Sequence, residues 1–417
     1  MTAVITGMGL FSPVGRGVAA TFDALMTGKS GLARPPEGHP ARESLEVAGL
    51  LPPIDPRTVA AGPETKVLDR IVVLALLTAA DALADAGIEV GRDVDPARIG
   101  VIVGGVGGMS TLETQVMARA ARGRAAVSPY LLTGILPNMP SARIAIAHGI
   151  RGYSSAVGTA CASGAQSVAD AVRLIRCGEA DVVLCGASEA PLFPTFADTF
   201  GNARALARGW DDPTRASRPF DSRRNGFVLA EGAALLVLER AEHAAARGAP
   251  AYAEVAGYGA TTDAYHPTAP RPDGAGAAEC MRRALAGGGV SAGDVGYVNA
   301  HGTGTKLGDI AETTALATVF GVGGVPVSST KALTGHLLGA SGVVEAAACA
   351  LALGAGLLPP TYHLDDPDPD CPADHIRVEP RATGTEFALT NSFGFGGQNV
   401  SLLLRRTAGA RAAGPHR

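Results

Sequence analysis

Lysine is almost missing from this chain: of its 35 basic residues only four, Lys29, Lys66, Lys306 and Lys331, are not arginine. Against that bias, a lysine inside an apolar segment is there for its chemistry rather than as interchangeable charge. Basic runs are missing too, and with 39 acidic residues and a formal net charge of -4 nothing marks nucleic acid as a partner. Cysteine is thin and scattered. Cys161, Cys177, Cys185, Cys280, Cys349 and Cys371 include no CxxC pair, which excludes a disulfide framework and a zinc site. The opening MTAVITGMGLFSPVG lacks the basic n-region of a signal peptide, and apolar stretches such as 71–80 are flanked by charge and too short to span a bilayer. These absences predict a cytoplasmic, reduced protein with no membrane segment and no bound metal.

What remains reads as one α/β body written twice. The first half has a strand at 3–9, an amphipathic helix from about Asp69 to Ala86, a strand at 98–105, a strand running into a helix over 157–175, and a strand at 181–190. The second half repeats that order with a strand at 251–259, a helix around 274–286, a strand from 295, the segment 326–352 and a strand at 386–397. The boundary between the two halves, 1–250 and 251–417, falls before the second opening strand. Apolar strands of this kind need cover on both faces, which predicts buried sheets between helix layers. Segments 34–65 and 191–225 read as irregular excursions, and 406–417 as a frayed tail.

Four segments carry chemistry. In GTACASGAQ, Cys161 sits on a small-residue turn at a helix start near Ala162 or Ser163, where the helix dipole and free N–H groups favour the nucleophilic thiolate. In NAHGTGTKLGDIAE, a strand runs to His301, Thr303 and Thr305 offer hydroxyls to an amide-rich arm, and Asp309 and Glu312 open a helix. In SSTKALTGHLLGASG, Lys331 precedes His336 by five residues; a buried ammonium beside an imidazole would keep the ring neutral, so that its Nε2–H could donate to a carbonyl. In TNSFGFGGQN, the Phe393 N–H is placed to face Cys161 and, with a second N–H, to form an oxyanion hole.

In this order and spacing, the segments resemble the β-ketoacyl-(acyl-carrier-protein) synthases, most closely the type II elongating ketosynthases, over essentially the whole chain. The resemblance implies a five-layer αβαβα thiolase-like fold built from two duplicated halves. It implies decarboxylative Claisen condensation of an acyl thioester with a malonyl thioester, in fatty-acid or type II polyketide chain elongation. Cys161, His301 and His336 match the catalytic triad of that family, with Lys331 supporting His336. Phe393 matches the gating phenylalanine, and Asp309, Glu312 and Glu345 match acidic residues behind the site. Thr303 and Thr305 match the threonines that hold the pantetheine arm, and Val106, after the glycines of GGVGGM, matches a position in the acyl tunnel.

Several alternatives are weighed against motifs. A degradative thiolase needs a second cysteine in the last glycine turn, which here reads NSFGFGG; an initiating synthase has asparagine where this chain has His336. A chain-length factor lacks the nucleophile that this chain keeps, although a catalytic subunit working beside such a factor fits. The resemblance implies no cofactor beyond the phosphopantetheine of acyl carrier protein. A structural monovalent cation is implied near Asn299, Glu345 and Ser392. The implied partners are acyl carrier protein, with part of the basic 204–224 segment as a contact, and a second ketosynthase-like chain, identical or paralogous. The free start and end are expected to mean a stand-alone enzyme. Valine at 106, where isoleucine is common, predicts acceptance of medium or long acyl chains.

Overall fold

Residues 1–411 are described by the computed structural model. Strand pairing bears out the duplication. In the first half, Ile99–Gly104 lies between parallel neighbours Ser154–Val157 and Val182–Glu189, after which Gly232–Arg240 and Ala3–Ser12 continue antiparallel. In the second, Val295–Asn299 lies between parallel Pro326–Ser328 and Phe387–Gly394, followed antiparallel by Gln398–Arg406 and Ala253–Thr262. The two sheets meet through a two-residue antiparallel contact, Val4 opposite Glu254 and Ile5 opposite Ala253.

Helices divide the core into layers. Arg70–Ala86, whose first turn is capped by the Asp69 carboxylate on the Ile71 N–H at 3.1 Å, covers the outer face of the first sheet. Ala275–Gly288 and Lys306–Phe320 cover the outer face of the second. Between the sheets lie two helices, Ser163–Arg176 and Ser341–Ala355, packed on each other and on both inner faces. That is the five-layer thiolase-like arrangement expected.

The helix Ser341–Ala355 has every residue from Ser341 to Leu353 buried, because it is sandwiched by sheets and must be apolar all round. With the preceding turn it gives an 18-residue run of mean hydropathy 1.6, 89% buried, so it is a core element. The apolar stretches weighed from sequence did not include this one, which is long enough to cross a bilayer by length alone.

Two boundaries differ from expectation. The strand leading to His301 ends at Asn299, and the strand Gln398–Arg406 runs into the segment expected to fray. Beyond it, Thr407 Oγ1 and the Arg411 N–H both donate to the Ala251 carbonyl, at 3.2 and 3.0 Å, and Arg411 pairs with Asp85 at 2.9 Å. The rest of the expected tail, 412–417, lies outside the described residues.

Candidate active site

Each central helix is entered through a tight 3-10 turn whose first residue is a non-glycine with φ of 48°, Ala160 in one half and Leu338 in the other. Left-handed backbone at such residues costs about 1–3 kcal/mol and persists only where the surroundings fix it. At the first turn the fixing group is Ser163, whose hydroxyl accepts the Thr159 N–H at 2.9 Å and donates to the Ala160 carbonyl at 2.7 Å. The turn presents Cys161 at the inner end of the cleft, 9% exposed.

The second turn brings His336 to the same point. Its Nε2 lies 3.2 Å from Cys161 Sγ, and its backbone is locked by pairing with 228–230, accepting from the Ala230 N–H and donating to the Val228 carbonyl. The His301 ring stands across from it, centroids 5.3 Å apart and nearly perpendicular. Burial first, and the Lys331 charge second, hold both imidazoles well below their usual range, so the rings are neutral at physiological pH. Lys331 is itself buried and pairs with Glu345, whose carboxyl burial raises to about 7.

Two carboxylates shape the turn after His301. Glu312 accepts the N–H groups of His301 and Gly302 at 2.8 and 2.7 Å. Asp309 accepts those of Phe220 and Gly304 at 2.8 and 3.2 Å, and meets Arg224 at 3.0 Å. Thr303 and Thr305, their hydroxyls 3.1 Å apart, then line a cavity of about 530 Å³. Its inner end holds Cys161, His301 and His336; its outer end carries the exposed cations Arg204, Arg271 and Lys306.

Two expectations need correction. The N–H aimed at the Cys161 thiol, beside that of Cys161 itself, belongs to Phe395. Phe393 is still inside the strand ladder, opposite Asn399, with its ring 5.7 Å from His301; the first residue past the ladder is the one free to turn its N–H inward. That signal was present in the sequence as the second phenylalanine of GFGG. Gly394 lets the turn come close, since a Cβ there would lie 2.5 Å from the Thr159 carbonyl oxygen.

The second correction concerns charge. Burial, reinforced by nearby Glu189, pushes the Cys161 thiol up to about 12, and the N–H groups and Lys331 only partly offset it. The thiol is therefore protonated, not the helix-activated thiolate the motif predicted. Glu189, missed from sequence, is a buried carboxyl raised by burial to about 8, which accepts the Gly339 N–H at 3.2 Å. Val106 is half-buried and stands outside the residues lining the cavity that opens on Cys161 in the single chain. Asn299, Glu345 and Ser392 are all buried; Asn299 Oδ1 and Glu345 Oε2 lack hydrogen-bond partners.

Comparison with known proteins agrees over the whole length. Residues 2–244 match the model of the β-ketoacyl synthase N-terminal domain, and 252–365 that of the β-ketoacyl synthase C-terminal domain. The chain is 41% identical over 408 residues to 3-oxoacyl-(acyl-carrier-protein) synthase 2 of Vibrio cholerae, covering 97% of this chain and 98% of that one. Among solved structures, the ishigamide ketosynthase/chain length factor superposes with a TM-score of 0.90 at 32% identity, over 98% of this chain and 99% of that one. A type II polyketide ketosynthase solved with its acyl-carrier protein superposes with a TM-score of 0.89 at 31% identity, over 97% and 99% of the two chains.

Proposed function

The chain belongs to the β-ketoacyl synthase family and is an acyl-transferring condensing enzyme, and we propose that Cys161, His301 and His336 carry its reaction. The observation behind this reading is the 3.2 Å contact of His336 Nε2 with Cys161 Sγ at the closed end of an otherwise open cleft. Cys161 attacks the carbonyl carbon of an acyl group held on the carrier's pantetheine. The bond to the pantetheine sulfur breaks, and that sulfur leaves with the cysteine proton. The transient Cys161 thiolate and the tetrahedral oxygen are stabilised by the N–H groups of Cys161 and Phe395.

A malonyl thioester then enters. The bond between its carboxylate and α-carbon breaks, releasing carbon dioxide, and the electron pair becomes an enolate. Neutral His301 and His336 donate hydrogen bonds to the enolate oxygen. Its carbon attacks acyl-Cys161, and the cysteine sulfur is released and reprotonated. Burial keeps the imidazoles neutral, and Lys331 reinforces it as a positioning residue. Thr303 and Thr305 hold the pantetheine arm, and the exposed Arg204 and Lys306 at the outer end, which form no ion pair among the described residues, suit its phosphate and an acidic carrier protein.

The halves 1–250 and 251–417 contribute the nucleophile and the histidines respectively. The oxygens of Asn299 and Glu345 that lack a partner among the described residues fit a monovalent cation, whose charge the Glu345 carboxylate would share with Lys331. Six free cysteines suit a reducing, cytoplasmic setting.

Intact mass after incubation with acyl-carrier tests the assignment. Wild type gains one acyl group; Cys161→Ala gains none. His301→Ala and His336→Ala are still acylated but lose most malonyl decarboxylation, by roughly the hundred-fold or more that a positioned acid–base group contributes. Acylation of Cys161→Ala, or a histidine variant with near-wild-type condensation, overturns the corresponding role.

A further inference from the structure

The second half of the duplication carries a hydroxyl that no step above uses. Ser341 opens the central helix Ser341–Ala355 as Ser163 opens Ser163–Arg176. Both accept a backbone N–H from four residues earlier, Ser163 from Thr159 and Ser341 from Leu337, each at 2.9 Å. An N–H can only donate, so in each case the serine oxygen is an acceptor there and its own proton is directed elsewhere. The Ser163 proton goes to the Ala160 carbonyl at 2.7 Å. The Ser341 hydroxyl instead lies 3.1 Å from His336 Nδ1, a nitrogen to which it can donate its proton when that nitrogen is bare. Ser341 is 2% exposed, which leaves water little access to compete.

A hydroxyl proton aimed at Nδ1 requires that nitrogen to be bare and places the ring proton on Nε2, the atom facing Cys161. We propose that Ser341 is a positioning residue that holds His336 as its Nε2–H tautomer, making the ring a fixed donor to the malonyl thioester oxygen. This deepens the condensing role assigned above and rests on it. His301 has no such device: its Nδ1 is enclosed and has no hydrogen-bond partner among the described residues. The two histidines, equivalent in the simple reading, thus differ in how firmly their donor is aimed.

The tautomer is read directly on the wild-type enzyme by the 15N shifts of labelled histidine. A His336 proton on Nε2 is expected, and a proton on Nδ1 overturns the proposal without any variant. Kinetically, Ser341→Ala lowers decarboxylation of malonyl-carrier about ten- to hundred-fold, the effect of one hydrogen bond to a group that meets developing charge. Acylation of Cys161 stays at the wild-type rate, and Ser341→Thr restores decarboxylation. A merely structural serine predicts that both half-reactions fall together; that result, or no loss in either, or a threonine variant no better than alanine, sinks the assignment. Should Ser341→Ala not fold, Ser341→Cys conserves the volume with a far weaker hydrogen-bonding group and carries the same comparison. Absence of acylation on wild-type Cys161 would instead strike the function proposed above, so the two failures are distinguishable.

Discussion

At the scale of single residues, the protonation state of the nucleophile separates the motif from the fold. A cysteine at a helix start reads as a thiolate, because the helix dipole and free N–H groups are local and visible in the sequence. Burial is not local, and here it dominates, holding the thiol protonated up to about 12. Iodoacetamide alkylation across pH, with exposed Cys177 as the internal reference, follows from this. The thiolate fraction below the pKa rises ten-fold per pH unit, so labelling of Cys161 should still be climbing at about pH 10, where an ordinary thiol has levelled off. A Cys161 rate that plateaus near or below about pH 8 would falsify the burial argument. The neutral histidines, by contrast, follow the expected cause only in part: Lys331 lowers both, but burial comes first.

At the scale of elements, catalysis depends on how closely the two central helices approach. Gly164 sits where they touch; a Cβ there would lie 2.4 Å from the Gly339 carbonyl oxygen and 2.5 Å from Val343 Cγ2. Backbone cannot yield as a flexible side chain can, so the helices must separate and carry their entry turns, with Cys161 and His336, apart. Gly164→Ala should therefore lose about 1–3 kcal/mol in denaturant unfolding and should also slow condensation. Full activity at wild-type stability would mean that the approach is not needed. The GFGG turn teaches the related point that a ladder decides which amide is free: Phe393 is held opposite Asn399, and Phe395 is the first residue released.

At the scale of the whole molecule, one face is unfinished. The helix Met109–Arg122 has no buried residue and exposes Met109, Leu112, Val116 and Met117. Among the described residues the sheet ends in the edge strand Ser154–Val157, with Ile146 and Tyr153 exposed nearby. Apolar surface next to an open edge is a place for a second chain. We expect a dimer, burying on the order of 2,000 Å² or more, with sedimentation at micromolar concentration as the check; Val116→Glu should weaken it. A monomer that assembles only with a paralogue would make the pair a heterodimer, and a monomer under every condition would remove the interface. Val106 leads straight into this helix, so its place in an acyl tunnel is to be sought in the assembled dimer rather than in the cleft of one chain. Val106→Phe should lose the longest acyl-carriers and keep the shortest, and an unchanged chain-length profile would take Val106 out of the tunnel.

The sequence by itself determined the duplication, the order of strands and helices, and the identities of Cys161, His301, Lys331 and His336. The first two are matters of periodicity and turn composition, which a linear chain displays; the four residues are singled out by their motifs together with the family resemblance. Ala160 and Leu338 in left-handed turns, the choice of Phe395 over Phe393, and the hydroxyl of Ser341 at His336 Nδ1 were not legible in the same way. Each depends on how a turn is held in space: Ala160 by the Ser163 hydroxyl, Phe393 by its ladder with Asn399, and Ser341 by its approach to the His336 ring. Only the tertiary structure decided the charge on the nucleophile, because desolvation is set by everything that surrounds an atom, and most of what surrounds Cys161 comes from elsewhere in the chain.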